Sequence, residues 1–295
     1  MRFSPTKPIV IIVLTLVALG IGVFAFVGSR KTAPEIPLVV EPVKRNQKHA
    51  VIGHSVEGRD IESYTYGNGA THLAFIGGVH GGYEWNSVLL AYRFIDFLEE
   101  NPDALPDNLT VTVIPSANPD GVYRVVGKSG RFAVTDVATD QQTLASGRFN
   151  ANEVDLNRNF DCKWKPESTW KTKVVSAGSA PFSEPETKAL RDFVSEYHPD
   201  AVIFWHSQAN AVYASECREG ILPKTLAIMN AYSEASGYSA VKSFDSYEIT
   251  GDAEGWLASI GVPAITVELK THDTIEWERN LAGITALFGY YERER

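Results

Sequence analysis

Leu73-Ala74-Phe75-Ile76-Gly77-Gly78-Val79-His80-Gly81-Gly82-Tyr83-Glu84 passes from an apolar run through paired glycines to a histidine and then a glutamate. His72–Ile76 reads as a strand, glycine permits the sharp turn that must follow, and Glu84 opens a run of helical period to Glu100. Two later stretches have the same form. Ala201-Val202-Ile203-Phe204-Trp205-His206-Ser207 and Ala264-Ile265-Thr266-Val267-Glu268-Leu269-Lys270-Thr271-His272-Asp273 both run from apolar β-formers into His or Glu. Where helices cover a sheet, functional groups gather beyond the carboxyl ends of its strands. Three such ends predict one shared site.

Around these runs, helical and β-rich segments alternate. Strands are predicted at Leu109–Ile114, Ala201–Trp205 and Ala264–Leu269, and helices at Pro185–Tyr197, Pro223–Ser236 and about Thr274–Tyr291. Ser183 and Glu186 around Pro185 have the spacing of a capping box. The alternation predicts an α/β fold with a mixed, mostly parallel central sheet flanked by helices.

At 295 residues, 44% hydrophobic and 21% charged, the chain can bury a large core and is not of the disordered class. A formal net charge of −9 without a Lys/Arg cluster excludes a nucleic-acid-binding surface, which needs clustered cations to neutralise phosphates. Ile9–Gly28 carries no charge and is long enough to cross a bilayer core of about 30 Å. It reads as an N-terminal transmembrane anchor or, alternatively, a cleaved signal segment that would leave the domain secreted. Arg2 and Lys7 before it and Arg30 and Lys31 after it leave orientation nearly balanced, yet both readings send the remaining chain out of the cytoplasm. Three regions are expected: the anchor or signal at 1–31, a proline-containing linker at 32–47 and one catalytic domain at 48–295. No folded prodomain is expected before it. Cys162 and Cys217 can pair in an oxidising compartment or remain two small buried residues.

His80 and Glu84, with His206 from another strand end, form the two-His, one-Glu set that hydrolytic zinc sites use. Taken singly, each has a plainer reading: a turn histidine, an acid favoured at a helix start, a core imidazole. A second segment, Asn150-Ala151-Asn152-Glu153-Val154-Asp155-Leu156-Asn157-Arg158-Asn159-Phe160, places an Asn-Arg pair where a carboxylate could be held in a bidentate fork. From Lys48 to the C-terminus this set resembles the zinc carboxypeptidase family, M14 or carboxypeptidase A type, and its bacterial and regulatory-type members above all. Asn118-Pro119-Asp120-Gly121, Gly147–Phe160 and Ser183-Glu184-Pro185-Glu186-Thr187 match that family's landmarks in order. The family separates its first two ligands by two residues; here there are three.

The resemblance implies one Zn2+ per chain, held by His80, Glu84 and His206 in a peptidase that acts as a monomer. It implies Glu268 as the catalytic general base, Arg148 as the group that polarises the scissile carbonyl, and Asn157, Arg158 and Tyr247 as the holders of a substrate carboxylate. Glu254 falls where the departing side chain would sit, which favours a cationic group such as Lys, Arg or diaminopimelate; its plainer reading is a solvated loop carboxylate. The expected activity is metallocarboxypeptidase action on a peptide or cell-wall peptide. The alternatives are a peptidoglycan γ-glutamyl-diaminopimelate peptidase, deacylation of small N-acyl amino acids, and a catalytically silent membrane-tethered binding module.

Overall fold

Among the described residues, ten strands follow one another: β1 (Gln47–His54), β2 (Asp60–Gly67), β3 (Thr71–Ile76), β4 (Leu109–Ile114), β5 (Glu167–Trp170), β6 (Lys173–Ser176), β7 (Ala201–Ser207), β8 (Ala211–Ala214), β9 (Ser239–Val241) and β10 (Ala264–Leu269). They belong to a computed structural model that describes residues 47–294. The predicted anchor and nearly all of the predicted linker lie outside the described residues. Among the described residues, no helix is long and apolar enough to cross a membrane.

Among the described residues, eight strands form one sheet in the order β1-β2-β4-β3-β7-β10-β8-β9, and β5 pairs with β6 in a separate hairpin. β4, β3, β7 and β10 run parallel. The β1–β2, β2–β4 and β8–β10 pairs are antiparallel. The sheet is therefore a parallel centre with largely antiparallel flanks, and the prediction of a mostly parallel sheet holds for its middle. The central strands carry continuous apolar runs because both of their faces are covered. β1 is an edge strand with mostly exposed side chains, so it lacks the hydrophobic period by which a strand is recognised.

Strand alternation separates two cores. Leu73, Phe75, Ile203, Trp205, Ile265 and Val267 pack with the helices Trp85–Glu100, Pro223–Ser236 and Trp277–Arg293. Ala74, Ile76, Val202, Phe204 and Ala264 pack on the opposite face with the helices Pro185–Tyr197 and Ala253–Ser259. His206 shares its parity with Val202 and Phe204, and Glu268 shares its own with Ala264, so both project to the second face. A one-residue slip in either strand would turn its functional side chain into the other core.

Helices Pro185–Tyr197 and Pro223–Ser236 have their predicted bounds, while the last begins at Trp277 rather than Thr274. The predicted capping box does not form: Glu184 is the cap residue, and it makes no side-chain cap bond. Asn159, remote in sequence, takes that role by accepting from Glu184 N at 3.1 Å and Thr187 Oγ1 at 2.7 Å. Glu186 instead accepts from Val56 N at 3.1 Å. Cys162 and Cys217, both buried on the second face, are joined by a disulfide with Cα atoms 6.1 Å apart.

Candidate active site

His80 ends the loop after β3, and Gly81–Glu84 forms one 3-10 turn before the Trp85–Glu100 helix. A Cβ on Gly81, where φ is +46°, would meet Gly147 O at 2.5 Å, and one on Gly82 would meet Val125 Cβ at 2.5 Å. Only glycines let this turn press against its neighbours. The turn accommodates the third residue between His80 and Glu84, with His80 itself outside the helical winding, and both side chains meet at one point.

At that point Glu84 Oε1 lies 2.8 Å from His80 Nδ1, Glu84 Oε2 lies 2.8 Å from His206 Nδ1, and the two Nδ1 atoms are 3.1 Å apart. One ligand atom from each residue lies within 4.8 Å of the others, and all three residues are buried. Burial opposes ionisation of Glu84, but the two imidazoles more than offset it and hold its carboxyl well below the usual range. For His206, burial lowers the pKa while Glu84 and Glu254 drive it well above the ordinary value. A buried carboxylate between two imidazole nitrogens thus draws positive charge to one spot, and the donor set is that of a catalytic zinc.

The far ring nitrogens support the same fit. His80 Nε2 and His206 Nε2 are buried without a hydrogen-bond partner, yet each faces a carboxylate oxygen: Asp155 Oδ1 at 3.5 Å and Glu254 Oε1 at 3.4 Å. Carboxylates behind ligating histidines fix the tautomer that leaves the inner nitrogen free for a metal. Asp155 was not singled out in the sequence reading, because a lone Asp before Asn157 reads as a turn residue. Burial would raise its carboxyl, but Arg148 and His80 hold it far below the usual range.

Glu268 stands opposite His206 in the β7–β10 pairing. Its Oε2 is buried with no partner, and burial followed by the charge of Glu84 pushes its pKa up to about 8. Arg148 donates from Nε to Asp155 Oδ2 at 2.8 Å and lies over the Trp170 ring, 4.7 Å from its centroid. Asn157 accepts from Ala253 N at 2.8 Å through Oδ1, which leaves Nδ2 as its donor. Arg158 is held by the carbonyls of Thr169 and Asn157. Tyr247 packs edge-on against Phe244 at 4.8 Å between ring centroids. Glu254 accepts from Thr266 Oγ1 at 3.0 Å and is buried, not the solvated carboxylate of its plainer reading. Asp252, also missed in the sequence, caps the same short helix, and burial with Glu254 nearby pushes its pKa up to about 6.

All nine predicted site residues line one cavity of about 580 Å³. The family model for zinc carboxypeptidases matches residues 44–282. The chain belongs to the zinc carboxypeptidase family. A gamma-D-glutamyl-L-diamino acid endopeptidase 1 of Lysinibacillus sphaericus is 26% identical over 239 residues, 74% of this chain and 59% of that protein. The chain therefore spans less than two thirds of that relative's length. Among solved structures, bovine thrombin-activatable fibrinolysis inhibitor in complex with tick carboxypeptidase inhibitor is similar with a TM-score of 0.68 and 18% identity, covering 84% of this chain and 91% of that one. The murein-tripeptide amidase MpaA of Escherichia coli O157 is similar with a TM-score of 0.58 and 23% identity, covering 83% and 92%. These two structures share the fold. The matched family is that of zinc carboxypeptidases, and the grouped His80, Glu84 and His206 fit its metal.

Proposed function

We propose that the chain is a carboxypeptidase that releases a C-terminal residue bearing a free carboxylate. The observation that carries this is Arg158. The residue is 2% exposed, lines the cavity and is hydrogen-bonded to backbone carbonyls, with no carboxylate at ion-pair distance among the described residues and Asp155 and Asp252 acting on its charge only from further off. A buried cation without a paired anion is costly, and a substrate carboxylate would relieve that cost with a bidentate fork.

In this reading His80, Glu84 and His206 would hold zinc, which when bound would polarise the scissile carbonyl and acidify water. Asn157 Nδ2, Arg158 and the Tyr247 hydroxyl fix the terminal carboxylate. Glu268 takes a proton from the attacking water and passes it to the leaving amine. Arg148 stabilises the oxyanion with the guanidinium hydrogens that Asp155 leaves free.

A second reading concerns the residue released. Glu254, buried, and Asp252, half-buried, place two carboxylates in the cavity, which suits an amine-bearing side chain such as that of lysine or a diamino acid in a cell-wall peptide. The similarity to a gamma-D-glutamyl-L-diamino acid endopeptidase supports cleavage at a γ-glutamyl-diaminopimelate bond. The apolar Ile9–Gly28 segment and the Cys162–Cys217 disulfide support an anchored domain working outside the cytoplasm, where disulfides persist.

The test is hydrolysis by the zinc-loaded chain of matched peptides ending in Lys, Leu or diaminopimelate, each as free acid and as C-terminal amide. Free acids should be cleaved and amides resist. Equal rates on both would overturn the carboxypeptidase reading.

A further inference from the structure

Behind the cavity wall formed by Trp170, Tyr83 and His272 lies a chain of hydrogen bonds that the proposed mechanism does not use. Tyr83 packs edge-on against both neighbours, with ring centroids 5.0 Å from Trp170 and 4.9 Å from His272. Asn86, fully buried, sends its Nδ2 to the carbonyls of Thr271 at 2.7 Å and Thr274 at 3.0 Å. Carbonyls only accept, so the atom between them is the amide nitrogen and the other is Oδ1, an acceptor. Ser207 Oγ lies 2.9 Å from that Oδ1 and must give it the single hydroxyl hydrogen. His272 Nδ1 lies 2.7 Å from the same Oγ. With the hydroxyl hydrogen already committed, Nδ1 can bond to Ser207 only by donating.

We infer that Asn86 and Ser207 lock His272 as the Nδ1–H tautomer, so that Nε2 presents a lone pair to the cavity and accepts a hydrogen bond from a backbone amide N–H of the substrate. Among the described residues no hydrogen bond reaches Nε2, and His272 lines the cavity. His272 is thus a substrate-binding residue outside the set that holds the carboxylate. The inference rests on the peptidase reading for its substrate, but not for the tautomer.

Two measurements on the full zinc-loaded chain separate the parts. The first is a long-range 1H–15N spectrum of histidine-labelled protein. It contains seven histidines, and the His272 ring is assigned by its absence in His272→Phe, or by its change in Ser207→Ala if the former does not fold. A neutral His272 ring protonated on Nδ1 is expected, with Nε2–H gaining population in Ser207→Ala. Protonation on Nε2 in the wild type overturns the inference.

The second is kinetic. Loss of one neutral hydrogen bond should lower kcat/KM of His272→Phe about 3–10-fold through KM, with kcat little changed. Methylating the substrate amide nitrogens one at a time should find one position that costs the wild type this factor and costs His272→Phe nothing further. Equal KM values, or losses that add at every position, overturn the contact. A wild type that cleaves no peptide fails the peptidase reading instead, and the spectrum still decides the tautomer.

Discussion

Asp155 joins His80 to Arg148: one of its oxygens lies 3.5 Å from His80 Nε2 and the other takes Arg148 Nε and Nη2, both at 2.8 Å. A single buried carboxylate thus backs a histidine of the metal site and anchors the arginine proposed to stabilise the oxyanion. Asp155→Asn keeps the shape and removes the charge. Zinc affinity should fall about 10–100-fold, read by competition with a chelator. The metal-free protein should also lose about 3–5 kcal/mol of stability in urea, because the Arg148 charge is left buried and unpaired. Unchanged zinc affinity would separate Asp155 from the metal centre.

Metal-free protein should become less stable as pH rises from about 6.5 to 8. Burial and Glu84 lift Glu268 from an ordinary 4.5 to about 8, so the native chain binds a proton that the unfolded chain releases. Stability from such a group is complete below the unfolded value and is lost as pH climbs through the folded one. Burial works against His206, but Glu84 and Glu254 raise it above 6.5, which adds a loss of the same sign. The depressed carboxyls of Glu84, Asp155 and Glu254 titrate below this window. Urea midpoints across the interval should fall for the wild type and fall less for Glu268→Gln. A midpoint that climbs with pH would contradict this.

Gly82→Ala tests the turn. Its Cβ would sit 2.5 Å from Val125 Cβ and 2.7 Å from Gly121 O. Accommodating it should cost about 1–3 kcal/mol and pull His80 and Glu84 out of convergence, so melting temperature and zinc content should fall together. Full zinc occupancy at a lowered melting temperature would show that the turn can shift without opening the site.

Glu254→Gln should act in two ways. The Thr266 bond can persist, but the charge facing His206 Nε2 is lost, and zinc should bind about 10-fold more weakly. At saturating zinc, preference for a C-terminal Lys or diaminopimelate over Leu should drop about 10-fold if Glu254 also receives the substrate amine. An unchanged preference would leave Asp252 to account for any such selectivity.

The central strands and longer helices could be read because each carries an unbroken period: β4 and β10 have their predicted bounds, and β7 runs on to include His206. β1, the β5–β6 hairpin and the short helix holding Glu254 could not, since exposed edges and single turns leave no period to detect. The same limit applies in the cavity. His80, Glu84, His206 and Glu268 stand at strand ends and turns that the pattern marks, whereas Asp155 and His272 take their roles from His80 and Ser207, distant in sequence, and Asp252 caps a helix too short to be read. The capping box failed for this reason, with Asn159 accepting from afar the cap-residue N–H that Glu186 was expected to accept locally.

The 3-10 turn at Gly81–Glu84 has a consequence for how such chains are recognised. The number of residues between the first two ligands belongs to the connecting turn, and the cation is indifferent to it so long as the donor atoms meet. A search that demands a fixed count between them would pass over this chain. For protein engineers, that count becomes an adjustable length, whereas the parity of β7 and β10 is not.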